Sequence, residues 1–330
     1  MKRMALLLTA VLSGAITLSP QTVAAPPPGK VARIGYLVLS PLLETPSPER
    51  AGFLRGMREL GYVEGKNLTI EYRSADGATD VLPFLADELV ELGVDVIVAP
   101  AGPPLIAAKD ATRRIPIVMM FSADPVNAGL VQSLARPGGN VTGMSMQNVE
   151  LAAKRLELLK ETVPRLSRVA VIWDSSNVMV HREWETTQRI ARELGITLES
   201  VDVGGEPDLS RAFERIKAMR PGALITIVDL RTALYRQIIP EFALAERIPL
   251  MAGLTAFTQA GGLMSYAPDF AELSRRAAGF VDKLLNGANP ATLPVQQPTT
   301  FELVINLKTA KTLGIKPPES ILLRADKVIE

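Results

Sequence analysis

Acidic residues at the ends of apolar segments are the first candidates for chemistry in this sequence. Asp124 follows "IPIVMMFSA", Asp174 follows "RVAVIW" and Asp229 follows "ALITIV". A carboxylate in such a position can be a catalytic base, a metal ligand, a partner for a ligand's ammonium group, or only a helix or turn cap. Which role applies depends on the partner groups that the rest of the chain can supply.

Partner groups for catalysis or metal binding are scarce. The chain has no cysteine and one histidine, which excludes thiol nucleophiles and His-rich metal sites. A Ser-His-Asp triad could use only His181, and in the helical pattern "VMVHREWE" this residue lies to one side of the apolar face, as surface histidines do. The glycines of "RPGGNVTG" precede a strand, which is typical of a turn and not of a nucleotide loop. We therefore expect no enzymatic activity, no metal site and no cofactor.

Short apolar strands alternate with amphipathic helices from Val31 onwards. The first pair is the strand "RIGYLVL" and the helix "SPERAGFLRGMRELG", with Ser47 as its cap and Pro48 in its first turn. The alternation starts again after Met146, and no low-complexity linker separates the halves. This pattern predicts an α/β fold of two doubly wound parallel-sheet lobes with a cleft and a hinge between them.

Three further helices are predicted. The first two are "PVNAGLVQSLA", directly after Asp124, and "TALYRQIIPEFALAER". The third is a long helix in "FAELSRRAAGFVDKLLNG", begun by Asp269 and Glu272 as a variant of the capping box.

The loops that follow the strands predict a binding site, because ligands of open parallel sheets bind beyond the carboxyl ends of the strands. The candidate residues in these loops are Tyr36, Ala101, Gly102, Ser122, Ala123, Asp124, Asp174, Asn177, Asp229 and Thr255. Helix N-termini suit a carboxylate, and acidic residues suit an ammonium group. Together they fit a zwitterion such as an amino acid.

Simpler interpretations remain open for several of these residues. Asp124 followed by Pro125 is an ordinary helix start, so Asp124 can cap a helix and leave the ligand to Ser122 and the backbone near Ala123. Turn chemistry alone could explain Asp174 and Asp229. The aromatic residues Tyr266 and Trp173 are more often core or rim residues than stacking platforms.

Residues 1–24 have the pattern of a signal peptide, with Lys2 and Arg3, an apolar run and small residues before a cleavage site near Ala24. Without a cysteine the exported chain cannot be a lipoprotein, so we expect a free periplasmic protein. Removing Lys2 and Arg3 leaves 34 basic and 35 acidic residues. A net charge near zero favours neither nucleic acid nor an anionic membrane as partner.

Several long segments resemble the ABC-transporter substrate-binding proteins of the tryptophan-binding-like family. The segments include "GFLRGMRELGYVEGKNLTIEYRSADG", "FSADPVNAGLVQSLARPGGNVTG" and the C-terminal stretch from "GGLMSYAPDF" to the end. The resemblance implies a type I periplasmic-binding-protein fold that closes around a solute, with three segments joining the lobes. It places residues 31–146 and 254–287 in an N-terminal lobe, and residues 147–253 and 298–330 in a C-terminal lobe.

The resemblance also implies a function and a ligand orientation. We expect a monomeric receptor that delivers an amino acid or related carboxylate to an ABC permease; the alternative is a sensor that presents its closed form to a signalling partner. The ligand carboxylate would face Ala101, Gly102, Ser122, Ala123 and Asp124. Aromatic residues near the proposed loops are few, chiefly Tyr36 and Tyr266.

Overall fold

The computed structural model describes residues 31–330, so the predicted signal peptide at 1–24 lies outside the described residues. The strands of residues 31–330 form two separate sheets, one in each lobe. In the same part of the chain, no helix combines the length and the apolar character needed to cross a membrane.

The smaller sheet belongs to the first lobe. Its strands are β1 (Ala32–Val38), β2 (Leu68–Ser74), β3 (Val96–Ala99), β4 (Ile117–Ser122) and β5 (Val141–Ser145). They are parallel and have the order β2-β1-β3-β4-β5, so the direction of winding reverses between β1 and β3. Every residue of β3 and β4 is buried, which explains why these strands are apolar throughout.

The larger sheet belongs to the second lobe. Its strands are β6 (Arg168–Trp173), β7 (Thr197–Asp202), β8 (Ala223–Thr226), β9 (Leu250–Ala252), β10 (Met264–Ala267), β11 (Glu302–Asn306) and β12 (Lys327–Ile329). The order is β12-β11-β10-β9-β8-β6-β7, and its last five strands repeat the winding of the smaller sheet, with the reversal between β6 and β8. The sheet is parallel as predicted except that β11 is antiparallel to β10, while β12 is parallel to β11.

Helices cover the sheets. They are α1 (Pro48–Glu59), α2 (Leu82–Glu91), α3 (Gly102–Ala111), α4 (Asn148–Thr162), α5 (His181–Glu193), α6 (Glu206–Met219), α7 (Leu230–Leu234), α8 (Ile238–Ala245), α9 (Thr255–Gln259), α10 (Phe270–Leu285), α11 (Leu307–Leu313) and α12 (Glu319–Leu322). Two predicted caps are confirmed: Ser47 Oγ accepts from the Arg50 N–H at 3.3 Å, and Asp269 Oδ1 accepts from the Glu272 N–H at 3.0 Å.

The described chain passes between the lobes three times, as the fold prediction requires. It crosses from β5 to α4, from β10 to α10, and again before β11. Between the second and third crossings α10 packs along α1. Gly52 and Gly56 permit this contact, because a Cβ on them would lie only 2.2 Å from the Ala271 carbonyl oxygen and 2.3 Å from that of Arg275.

The second crossing differs from the predicted lobe boundary. Residues 254–287 were expected in the N-terminal lobe, but β10 pairs with β9 and β11 of the larger sheet and α9 packs against the same strands. The chain therefore enters the first lobe only after Ala267. Residues 264–267 extend an existing ladder of backbone hydrogen bonds, and the repeated winding order needs a fifth strand at this place.

Two predicted helices also differ. The segment 125–135 forms turns, because the N–H groups of Leu130 and Val131 both donate to the Pro125 carbonyl and Gly129 has a φ of 66°. The segment predicted as one helix from Thr232 to Arg247 divides into α7 and α8. Pro240 accounts for the division, since it has no N–H to donate to the carbonyl four residues earlier.

A buried guanidinium group joins the elements next to two of the crossings. Arg155 of α4 is 1% exposed and donates from Nε to the Tyr266 carbonyl at 2.9 Å. Its other nitrogens donate to Glu183 of α5 at 2.7 Å and to Asn148 at 3.1 Å. Burial raises the pKa of Glu183 to about 7 and lowers the pKa of Arg155, and the attraction between the two groups opposes both shifts.

Arg155→Met tests this network. The substitution leaves the Glu183 carboxylate buried without its cation, so we expect the free energy of unfolding in urea to fall by about 3–5 kcal/mol at neutral pH. The loss should be smaller at about pH 5 than at about pH 8, because a Glu183 with a raised pKa is protonated at the lower pH and needs no cation.

Lys154→Met is the matched control on the same helix. Lys154 pairs with Glu157 at 3.6 Å, with side chains 43% and 52% exposed, so its loss should cost at most about 1 kcal/mol. Equal losses for the two variants would contradict the importance given to Arg155.

Candidate ligand-binding site

A cavity of about 790 Å³ lies between the carboxyl ends of the two sheets. Residues that follow β1 and β3 line it from the first lobe, and residues that follow β6 and β8 line it from the second. These are the strands between which the winding reverses in each sheet, where open α/β sheets bind ligands. The volume is in the range of about 300–1,000 Å³ typical of small-molecule sites.

Asp229 supplies a carboxylate to the wall formed by the second lobe. It is 6% exposed and caps α7, with Oδ1 accepting from the N–H groups of Arg231 at 2.6 Å and Thr232 at 3.2 Å. Its Oδ2 accepts from the side-chain amide of Asn177, which also lines the cavity. Burial is the largest cause that raises the pKa of Asp229, and the hydrogen bond from Asn177 opposes it.

The part of the first-lobe wall that β1, β4 and the start of α10 form is apolar and partly aromatic, whereas the segment after β1 adds polar residues that include Glu49 and Arg50. The Tyr36 hydroxyl is 3.9 Å from the Met120 sulfur, and burial raises the pKa of Tyr36. The rings of Phe121 and Phe270 meet edge to face with centroids 5.2 Å apart. Tyr36, Met120, Phe121 and Phe270 all line the cavity. This wall suits a large apolar group on a ligand.

Gly102 is a point where the lobes approach each other. It begins α3 with a φ of 58°, and a Cβ on it would lie 3.8 Å from Asn177 Nδ2 and from Leu230 of the second lobe. Ala101 precedes it in the cavity wall. Pro103 and Pro104 follow and have no N–H, so this helix start offers an anion fewer backbone donors than the sequence prediction assumed.

Asp174 lies outside the cavity wall and has its own partners. Oδ1 accepts from the N–H and hydroxyl of Ser176, at 2.9 and 2.5 Å, and Oδ2 accepts from Arg231 Nε at 2.9 Å. Asp174 is 3% exposed. The turn interpretation of Asp174 therefore describes its place in the structure, and Arg231 provides its countercharge.

Asp124 caps a turn. The prediction that it caps a helix is wrong, because no helix follows it. Its Oδ1 accepts from the Asn127 N–H at 3.1 Å. Its Oδ2 accepts from Arg182 of α5, in the other lobe, at 3.0 Å. Both carboxylate oxygens thus have protein partners, and Asp124 does not line the cavity.

The structure brings six of the ten predicted site residues to the cavity wall. They are Tyr36, Ala101, Gly102, Ala123, Asn177 and Asp229. Ser122, Asp124, Asp174 and Thr255 do not line it. The Ser122 side chain is fully buried and its hydroxyl has no hydrogen-bond partner among the described residues, while Leu254 and Ala256 line the cavity on either side of Thr255.

The sequence reasoning missed several lining residues. Phe121 and Phe270 are 149 positions apart and meet only because α10 returns to the first lobe. Most of residues 39–50 line the cavity, and the Arg50 guanidinium donates to the Leu43 carbonyl within this segment. The leucines of "SPLLETPSPER", in an otherwise polar loop, were the available signal.

The remaining candidates have structural roles. His181 begins α5 and its Nε2 is 2.8 Å from the Ser175 carbonyl oxygen. Trp173 stacks on Trp184 with ring centroids 5.1 Å apart, and Tyr266 packs against Phe301 outside the cavity wall. Within residues 31–330, no group of three or more His, Asp or Glu side chains could hold a metal ion.

Relatives with known structures share this architecture. A conserved domain protein from Vibrio cholerae matches with 30% identity and a TM-score of 0.84, over 91% of this chain and 100% of that one. A Streptococcus pneumoniae ABC domain in complex with L-Trp matches with 29% identity and a TM-score of 0.84, over 90% and 99%. The ligand-free, open structure of a Clostridium difficile substrate-binding protein with adhesive properties gives 25% identity and a TM-score of 0.65, over 91% of this chain and 99% of that one.

Sequence comparisons agree with these structural comparisons. A tyrosine-binding protein of Clostridioides difficile is 28% identical over 280 residues, which are 84% of this chain and 80% of that protein. The family model for ABC transporter substrate-binding proteins matches residues 40–329. The match covers nearly the whole described chain, and the chain belongs to the ABC transporter substrate-binding protein family.

Proposed function

We propose that this protein is a periplasmic receptor that captures an amino acid with a large apolar side chain and delivers it to an ABC importer. The lobes close around the amino acid, and a membrane permease then recognises the closed form. The protein acts as a monomer after removal of residues 1–24.

The Asp229 carboxylate carries this proposal. It is buried in the cavity wall, and among the described residues no Lys or Arg side-chain nitrogen forms an ion pair with it, since the Arg231 guanidinium pairs with Asp174 instead. Burial of an unpaired charge is costly, so a ligand ammonium group would be stabilised strongly at this position.

The first-lobe wall, opposite Asp229, supports the proposal that the ligand has a large apolar side chain. Tyr36, Phe121 and Phe270 offer ring surfaces, and methionines extend the apolar lining. Relatives bind tryptophan or tyrosine, by the descriptions of the Streptococcus pneumoniae complex and the Clostridioides difficile protein. The ligand carboxylate would face the backbone at Ala101, Gly102 and Ala123, on the first lobe.

A ligand screen tests the zwitterion. We expect L-tryptophan or L-tyrosine to raise the melting temperature of the protein lacking residues 1–24, with about 2.7 kcal/mol of stabilisation at a hundredfold excess over Kd. Indole-3-propionate and tryptamine each lack one charged group of tryptophan and should stabilise the protein less. If indole-3-propionate stabilises it as much as tryptophan does, no ammonium subsite exists.

Asp229→Asn tests the ammonium subsite directly. The amide oxygen keeps an acceptor for the cap of α7, but the negative charge is lost, so we expect amino-acid affinity by calorimetry to fall about 10- to 100-fold. Asp202→Asn is the matched control: it removes a carboxylate at the end of β7, on the same edge of the sheet, which lies outside the cavity and outside the ion pair of Asp174 with Arg231. Its affinity should stay within about threefold of wild type, and an equal loss in the two variants would remove Asp229 from the site.

The pH dependence of binding gives a further test. The pKa of Asp229 is raised, so it takes up its proton at a higher pH than an ordinary aspartate. As pH falls from about 7 towards 4, where the ligand's own groups stay charged, affinity should therefore fall for wild type and stay level for Asp229→Asn. The ligand-free protein should show the opposite sign: the raised pKa stabilises the fold at low pH, and this contribution is lost as pH rises through it. Parallel affinity profiles for the two proteins would remove Asp229 from the site.

Uptake measurements test transport. Deleting the gene should abolish accumulation of the radiolabelled amino acid that gives the largest thermal shift, and restoring the wild-type gene should recover it. Normal uptake in the deletion strain would contradict the importer role.

A further inference from the structure

The ion pair between Asp124 and Arg182 joins the two lobes. Asp124 follows β4 in the first lobe, and Arg182 lies in the first turn of α5 in the second, with 3.0 Å between the charged atoms. All other ion pairs within residues 31–330 connect groups of the same lobe. The approach of the lobes at Gly102, where an added Cβ would lie 3.8 Å from Leu230, involves no charged group.

Asp124 is held in place by its own lobe. Its side chain is 9% exposed, and the hydrogen bond from the Asn127 N–H fixes one oxygen. The second oxygen faces the other lobe, where the Arg182 side chain is 53% exposed. Separation of the lobes would leave Asp124 in position and release Arg182 into water. The pair therefore depends on the lobes keeping the positions that they have in this structure.

Both partners are close in sequence to residues of the cavity wall. Ala123 precedes Asp124 directly. Met179 and Val180 lie in the short 3₁₀ turn Val178–Val180 just before Arg182, and Asn177 caps that turn. Asn177 in turn donates to Asp229. Formation of the pair thus brings the ligand-facing backbone of the first lobe towards the polar wall of the second.

We propose that Asp124 and Arg182 are positioning residues, which do not touch the ligand but hold the lobes together around it and slow its release. The proposal rests on the proposed function, in which the ligand occupies the cavity. A contact present only in the closed state raises the affinity of any ligand that binds that state.

The contribution of the ion pair to ligand affinity is limited because the Arg182 side chain is half exposed. We expect about a two- to tenfold contribution to affinity at low ionic strength, mostly in the dissociation rate. The electrostatic screening length falls to about 3–5 Å at high salt, so the contribution of the ion pair to affinity should shrink between about 0.05 M and 0.5 M NaCl.

Two substitutions remove the pair with little other change. Asp124→Asn keeps the oxygen that accepts from Asn127, and Arg182→Gln shortens an exposed side chain. Arg189→Gln is the matched control, because Arg189 lies on the same helix and pairs only with Glu193 of that helix, at 3.2 Å. It changes the net charge as Arg182→Gln does but does not affect the cleft.

Binding of L-tyrosine and L-tryptophan to these variants is the first measurement. Asp124→Asn and Arg182→Gln should each weaken binding about two- to tenfold at low salt, and the double variant should be no weaker than either single variant. Arg182→Lys should recover part of the affinity. Arg189→Gln should match wild type. Additive losses, or equal losses in the control, would overturn the proposal.

A ligand-free measurement separates this proposal from the proposed function. The chain has no cysteine, so Glu91→Cys and Arg215→Cys place one spin label on an exposed site of each lobe. Distances between the labels should shift towards the open state in Asp124→Asn and Arg182→Gln but not in Arg189→Gln. Unchanged distances in all variants would overturn the proposal even if amino acids bind. If no amino acid binds wild type, the proposed function fails while the distances still decide the role of the pair.

Discussion

The buried guanidinium of Arg155 is the interaction on which the rest of the structure depends. A fully buried cation is tolerated only when each of its donors has a partner, and the partners here come from the start of α4, from α5 and from the end of β10. Two of these places adjoin crossings between the lobes. Arg155 therefore ties together the places where the chain enters and leaves the second lobe.

The two lobes contribute different chemistry to one cavity. The second lobe offers Asp229 and Asn177, held by a helix cap and by a hydrogen bond to each other. The first lobe offers rings and methionines on β4 and at the start of α10. Under the proposed function an amino acid contacts both walls at once, which would couple binding to the distance between the lobes.

Local patterns in the sequence predicted the features that depend on local physics. The alternation of strands and helices, the caps at Ser47 and Asp269, and the loops of Ala101, Gly102 and Asp229 were all found from neighbouring residues. The membership of β10, the contact of Phe121 with Phe270, and the partner of Asp124 depend on residues far apart in the chain. Asp124 shows the difference well: its neighbours Ala123 and Pro125 fit a helix start, but the helix is replaced by turns because Gly129 and the Pro125 carbonyl redirect the backbone.

The interleaving of the chain between the lobes has a consequence for how the molecule acquires its structure. The first lobe is incomplete until α10 has packed on α1, and the second is incomplete until β11 and β12 have joined its edge. Neither lobe can finish folding while the C-terminal quarter of the chain is still being made, because α10, β11 and β12 lie in that quarter. Contacts of such long sequence separation are also entropically slow to form. A chain organised in this way completes neither lobe until synthesis ends, which would keep it unfolded for the proposed export through a narrow translocation channel.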